Sequence, residues 1–308
     1  MARGAASGRL HWGPMTTRLY LELLLLGAIW GGSFVFVRAL APNIGALVTT
    51  ELRLLLGGLG LCAWFAFARF DADWRRYWKH YLGLGLLNTA TPFALFGFAA
   101  LTLPGSYSAI INSMSPLWGA VFAALFLGEA LTARKCAGLA LGVVGVAFIT
   151  RAGPVPLNPS TLLAIGACIA ATICYGLAGP YIRHNLRDAK PMGIAGGSQM
   201  LPALLFLPAL FTSPVQASYT PLVLFNIAFI GLVCGSFAFL LYFRLVALAG
   251  PVKALTVTFL IPIFGMLWGH LFLGETITPS MVGGCVIVLC GLALLSTSAP
   301  RKAAAKQP

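Results

Sequence analysis

Ten mainly apolar stretches follow one another along this chain, with only short charged, proline or glycine breaks between them. They cover Leu19–Val37, Ile44–Ala68, Tyr81–Leu103, Ser106–Leu127, Arg134–Thr150, Thr161–Ile182, Met192–Phe211, Leu222–Leu248, Val252–Leu273 and Ser280–Thr297. A helix rises about 1.5 Å per residue, so roughly 20 apolar residues cross a ~30 Å hydrocarbon layer. Inside that layer the backbone must satisfy its own hydrogen bonds, which leaves helices or closed barrels. Continuous apolar runs, without period-two alternation, select helices. The predicted fold class is therefore an all-α membrane protein with ten transmembrane helices, of which the fifth and tenth are short. Composition agrees: 59% of residues are apolar and 9% charged, where a soluble domain carries about 25% charged residues.

The net charge of +13 does not point to nucleic acid. The basic residues lie in the breaks between apolar runs and form no single patch. With the N-terminus inside, 17 of the 20 Lys and Arg fall on the inner side, Arg38 and Arg151 fall outside, and Arg53 lies within a span. That bias predicts both termini in the cytoplasm and an even number of spans. The basic residues ahead of Leu19 resemble a signal peptide, but no clear cleavage site follows, so the first run reads as a retained helix. The seven cysteines all lie in apolar runs and read as small buried hydrophobes.

The word LFLGE occurs at Leu125–Glu129 and again at Leu271–Glu275, 146 residues later. At the same offset Pro116 meets Pro262, Thr132 meets Thr278, Gly138 meets Gly284 and Gly145 meets Gly291. The duplicated unit is five spans long. Five is odd, so the second copy enters from the opposite side and the two copies are inverted, a plan used by secondary transporters with the substrate site between the halves. The expected organisation is a cytoplasmic tail (1–18), a first five-helix repeat (19–151), a proline-rich linker (152–160), an inverted second repeat (161–297) and a cytoplasmic tail (298–308). Within the repeated word, Gly128 and Gly274 are expected to end a helix in the left-handed conformation, with Glu129 and Glu275 opening the next one. Pro116 and Pro262 are expected to bend equivalent helices.

AIWGGSFVFVR (Ala28–Arg38), ELRLLLGG (Glu51–Gly58), Ser106–Thr132 and Phe259–Thr278, in this order and inverted spacing, resemble the EamA family, the ten-span branch of the drug/metabolite transporter superfamily. The resemblance covers about residues 19–297. It implies export or exchange of small metabolites through a central cavity between the halves.

Polar groups within hydrocarbon are costly and mark interior or wet faces. Arg53, about ten residues into the second run, is a candidate anchor for a substrate carboxylate, against the alternative that it only organises packing. Glu51 lies two residues away and does not share its helix face. Ser108, Asn112, Ser115 and Gly119 form a small polar stripe at helical spacing, which suits a cavity lining and close helix packing equally. Asn88, Thr89 and Thr91 precede Pro92, where the threonines can patch a broken helix or touch substrate. Trp30 and Tyr175, paired by the repeat, are candidate cavity walls, with Trp118 and Tyr242 as further aromatics. Gln199 stands where the first repeat has Arg53, and Thr258 aligns with Asn112. Glu51 and His270 are the candidates for proton coupling. Gly138, Gly142 and the glycines of the last run suit close helix packing, or alternatively a homodimer face.

No ATP-binding loop, metal spacing or catalytic constellation is present, so no cofactor, metal or catalytic residue is expected. The expected function is secondary transport of small organic metabolites, such as amino acids or related polar solutes, across a bacterial cytoplasmic membrane. Export by alternating access is the expected mode. The bilayer, a small-molecule substrate and protons are the expected partners. The alternatives are a membrane-embedded enzyme or flippase acting on lipid-linked substrates, and a passive channel.

Overall fold

The computed structural model describes residues 16–153, 155–212 and 217–296. Residues 1–15 and 298–308 of the expected tails, Pro154 of the linker and Thr297 lie outside the described residues. Ten spans, all helical, are found among the described residues. They are α1 (Thr17–Ile44), α2 (Ala46–Phe67), α3 (Trp74–Ala99), α4 (Gly105–Leu127), α5 (Ala133–Ala152), α6 (Pro159–Asn185), α7 (Pro191–Thr212) and α8 (Pro221–Ala249), then α9 (Val257–Leu273) and α10 (Pro279–Ser296). The fifth is longer than expected at 20 residues. The shortest continuous span is instead α9, with 17 residues. A separate turn, Pro251–Ala254, precedes it.

The local chemistry explains the ends. Thr132 accepts a hydrogen bond from Lys135 N (3.3 Å) and Thr278 from Met281 N (3.3 Å), so both copies of the repeat cap their fifth helix with threonine. Gly128 (φ 68°) and Gly274 (φ 65°) are left-handed, and the amides of Glu129 and Glu275 reach back to the carbonyls of Ala123 and Gly269. This pairing from the residue after the glycine closes a helix C-terminus. Glu129 and Glu275 therefore precede α5 and α10 rather than opening them. The threonine hydroxyls occupy the capping position where the sequence suggested a carboxylate.

Prolines loosen the third and fourth helix of the first repeat. α3 passes through a π-helical segment at Leu86–Ala90, and the equivalent α8 does so over Phe229–Phe237. The Thr89 hydroxyl shares its one proton between the carbonyls of Gly85 (2.7 Å) and Ser198 (2.5 Å), tying the loosened turn to α7. In α4, Pro116 has no N–H for the Asn112 carbonyl. The Ser115 hydroxyl donates to that carbonyl instead (2.6 Å), beside a helix break at Ser113–Met114. Pro262 lies within a continuous α9.

Polar contacts between loops gather the helix ends that they join into two faces. At one face, Arg244 at the end of α8 pairs with Glu22 near the start of α1 (3.1 Å). Lys190 ahead of α7 pairs with Asp73 ahead of α3 (3.2 Å), and Arg183 at the end of α6 pairs with Glu129 (3.0 Å). At the other face, Asn43 exchanges hydrogen bonds with Ser218 (2.9 and 3.3 Å), and Glu275 binds the start of α4. The first face is called here the basic end. Glu129 lies at the basic end and Glu275 at the opposite end, so the two repeats are inverted.

The halves interlock rather than sit side by side. A Cβ on Gly31 of α1 would lie 2.9 Å from Gly265 N of α9, and one on Gly176 of α6 would lie 2.9 Å from Gly119 N of α4. Each first helix thus packs on the fourth helix of the other half. α5 and α10 run antiparallel: a Cβ on Gly138 would lie 2.6 Å from the Gly291 carbonyl oxygen, and one on Gly145 2.9 Å from that of Gly284. The 146-residue offset exchanges these two pairs, as a two-fold axis in the membrane plane requires. The glycines that suggested a dimer face are therefore buried in this contact within the chain. Side chains would hold these backbones apart.

Candidate functional site

Where the two halves meet, a cavity of about 300 Å³ opens between α1, α2, α3, α4, α6, α8 and α9. α1 contributes Trp30, Ser33, Phe34 and Val37, and α3 contributes Asn88, Phe93 and Phe96. Arg53 enters from α2, Asn112 and Ser115 from α4, and Tyr175 from α6. Phe239 and Tyr242 of α8 complete the wall, with Leu255 just ahead of α9 and Val257, Thr258 and Ile261 at its basic end.

Seven of the eight residues singled out from sequence thus surround one space: Trp30, Arg53, Asn88, Asn112, Ser115, Tyr175 and Thr258. Gln199 does not. It is fully buried between α2 and α8, where its amide donates to the Gly235 carbonyl (3.2 Å) and its oxygen faces Gly57. The repeat offset equates Gln199 with Arg53, but the absent side chains at Gly57 and Gly235 leave a slot that holds Gln199 away from the cavity. Trp118 packs on α6 at Gly176 rather than lining the space. The polar stripe of α4 also divides. Ser108 lies 3.6 Å from the Cys168 sulfur, and Gly119 brings only its backbone N close to α6 at Gly176, while Asn112 and Ser115, flanking the helix break, face the cavity.

Arg53 sets the electrostatics. No carboxylate lines the cavity, and Arg53 is the one charged side chain among the described lining residues. Its guanidinium carbon lies 3.7 Å from the centre of the Phe93 ring, and its Nε is buried without a hydrogen-bond partner. Stacking on an aromatic face orients a guanidinium without using its donors. Those donors remain available to an anion. Around it stands an aromatic wall: Trp30 meets Tyr242 (5.5 Å) and Phe239 (5.8 Å), and Phe96 meets Phe34 (5.3 Å) and Tyr175 (6.3 Å). Phenylalanines 34, 93, 96 and 239 carried no sequence signal, since the same residue type also faces lipid.

Neither coupling candidate reaches this space. Glu51 is buried in a separate crevice on another face of α2. His270 is exposed near the opposite end, its Nδ1 3.0 Å from the Glu275 carbonyl.

The cavity is unequally closed. Toward the opposite end, α4 meets α9: a Cβ on Gly265 would lie 2.3 Å from the Ala109 Cβ. The Glu275 carboxylate accepts hydrogen bonds from Gly105 N (2.6 Å), Ser106 N (3.0 Å) and the Ser106 hydroxyl, capping the start of α4. The symmetry mates of Ala109 and Gly265 are Leu255 and Gly119. Leu255 is 51% exposed, and a Cβ on Gly119 would meet nothing within 4 Å. The contact is made at one end and parted at the other.

This architecture is shared. The EamA-like transporter family matches residues 18–151 and 162–297, one copy in each half. An uncharacterized transporter of Bacillus subtilis (strain 168) is 28% identical over 296 residues, covering 94% of this chain and 95% of that protein. Protein PecM of Dickeya dadantii (strain 3937) is 25% identical, covering 87% and 88%. A probable amino-acid metabolite efflux pump of Salmonella typhimurium is 23% identical, covering 87% and 91%. A solved crystal structure superposes with a TM-score of 0.62 at 19% identity, over 90% of this chain and 95% of the other, so the fold is common to both. Matched by that family in each of its inverted halves, this chain is a multi-pass membrane protein of the EamA-like transporter family, a transporter and not an enzyme.

Proposed function

We propose that the protein is a secondary exporter of small organic metabolites bearing a carboxylate, with amino acids and related polar solutes as the leading class. The supporting relative is the probable amino-acid metabolite efflux pump of Salmonella typhimurium. Arg53 anchors the carboxylate by paired charge-assisted hydrogen bonds, Asn88, Asn112 and Ser115 read polar groups, and the aromatic wall takes the apolar body. The membrane is the bacterial cytoplasmic one. The basic end faces the cytoplasm, as the distribution of Lys and Arg favours, and both termini lie on that side.

The observation that carries alternating access is the unequal contact between α4 and α9. Ala109 touches Gly265, whereas their symmetry mates Leu255 and Gly119 are apart. Exchanging the conformations of the two repeats closes the second contact and opens the first, and so turns the cavity toward the other compartment. In this reading the structure is open toward the cytoplasm.

Counterflow in proteoliposomes tests the proposal. Vesicles preloaded with a mixed amino-acid pool should take up a tritiated amino-acid mixture saturably, and Arg53→Lys should lower exchange by about 10- to 100-fold. That is the equivalent of about 1.5–3 kcal/mol for a hydrogen bond to a charged group. Unsaturable flux would support a channel instead. Normal exchange by Arg53→Lys would remove the carboxylate anchor.

A further inference from the structure

α2 presents two ionisable side chains to two different spaces. Arg53 enters the central cavity. Glu51, two residues earlier and so about 200° around the helix, enters a crevice of about 250 Å³ between α2, α3 and the end of α7. Glu51 is 1% exposed, and both of its carboxylate oxygens are buried without a hydrogen-bond partner.

The crevice offers no charge to balance it. α2 supplies Leu47, Thr50 and Leu54 around Glu51. From α3 come Ala90, Thr91, Ala94 and Leu95, and from the end of α7 Phe206 and Ala209. None of these titrates. The Thr50 hydroxyl is already committed to the Ala46 carbonyl (2.8 Å). A buried carboxylate without a counter-ion is far more costly than the neutral acid. The lining also lacks the oxygen cage that a hard metal cation needs, and among the described residues no three His, Cys, Asp or Glu side chains come together to hold a metal. The ligand that fits one isolated carboxyl in apolar walls is a proton.

Two features connect this carboxyl to the transport cycle. The π-helical segment Leu86–Ala90 of α3 turns Asn88 to the central cavity and Ala90 to the crevice. Glu51 also lies five residues below the start of α2, about 7.5 Å from the opposite end of the molecule, beneath the exposed Leu47.

We propose that Glu51 is a proton-carrying site, distinct from the substrate cavity and loaded from the opposite end, which couples substrate export to proton entry through α2 and the π-helical segment of α3. This inference rests on the transporter reading above. The carboxyl group gives its proton to water and becomes a carboxylate, and regains one from water; no other reactant is needed. Because occupancy of either site biases the same two helices, each ligand changes the affinity of the other by the same factor.

Full-length Glu51→Gln and Glu51→Asp are compared with the wild type in two ways. Infrared difference spectra at neutral pH should contain the C=O band of a protonated carboxylic acid, lost in Glu51→Gln and shifted in Glu51→Asp. In proteoliposomes, accumulation of a tritiated amino-acid mixture driven by a pH gradient should fall at least about tenfold in Glu51→Gln. Counterflow, which needs no net proton movement, should persist, and Glu51→Asp should restore driven accumulation with a displaced pH profile. Undiminished driven accumulation in Glu51→Gln overturns the proposal. So does an unaltered infrared spectrum, or loss of counterflow together with accumulation in protein that elutes as the folded species. Failure of wild-type counterflow with the same mixture would instead strike the transporter reading, while the infrared band would still report on the proton at Glu51.

Discussion

α4 and α9 touch at one end of this molecule and stand apart at the other, although the repeat makes the two ends equivalent. At the closed end Ala109 meets Gly265, and Glu275 caps the first amides of α4. At the parted end Gly119 faces open space, and Glu129 pairs with Arg183 (3.0 Å) and Lys135 (3.6 Å) at the surface. The sequence contains one reason for the difference. The residue equivalent to Gly105 is Pro251, and a proline has no N–H to offer a carboxylate. The capping contact of Glu275 therefore cannot be copied in full by Glu129. The two ends are held by different chemistry, a partly buried charge-assisted cap at one and an exposed ion pair at the other.

Bulk added at the two glycines should separate these ends most strongly. Gly265→Leu puts a side chain where its first carbon already lies 2.3 Å from Ala109. Overpacking of that kind costs about 1–3 kcal/mol, so the variant should lose thermal stability and exchange together. The first side-chain carbon of Gly119→Leu meets nothing within 4 Å. It should keep the wild-type melting temperature, measured by fluorescence, yet exchange at least about tenfold more slowly because the parted end can no longer close. Equal loss of stability in both variants would mean that the two ends are packed alike.

This comparison also marks what the sequence could carry. The ten spans were legible because apolar runs cannot hide in a soluble fold, and the inversion because five is odd. The polar members of the cavity were legible because Arg53, Asn88 and Asn112 stand out against hydrocarbon. Gln199 stands out just as much, but its destination depends on two glycines on other helices, Gly57 and Gly235, whose proximity no spacing reveals. The aromatic wall was silent for a different reason. The chain has 21 phenylalanines, and a phenylalanine looks the same in sequence whether it faces a substrate or a lipid. The Arg183 partner of Glu129 and the Gly105 and Ser106 partners of Glu275 were hidden because they belong to helices distant in the chain, α6 and α4.

The carboxylates give the second contrast. Glu275→Gln removes the charge from a partly buried cap, where a charge-assisted hydrogen bond contributes about 1.5–3 kcal/mol. Amide hydrogen exchange at Gly105 and Ser106 should quicken about tenfold or more, and the opposite end should open more often. Glu129→Gln removes an exposed ion pair, whose contribution is about 0–1 kcal/mol, so exchange rates around α6 should change little. A larger effect at Glu129 would make the surface pair with Arg183 a gate in its own right and reverse the assignment of strong and weak ends.

The smallest contrast is one that should vanish. Gly128 and Gly274 have nearly the same φ, 68° and 65°, and each is followed by an amide that reaches back six residues to close its helix. Neither has any atom within 4 Å of where a Cβ would sit, so alanine there meets no neighbour and its cost is the left-handed backbone alone, about 1–2 kcal/mol. Gly128→Ala and Gly274→Ala should therefore lower the melting temperature by the same amount, even though the carboxylates beside them hold different partners. Unequal shifts would mean that the turn itself helps to hold Glu275 on α4. Equal shifts would confine the asymmetry of the two ends to the carboxylates and to the residue, Gly105 or Pro251, that each is offered.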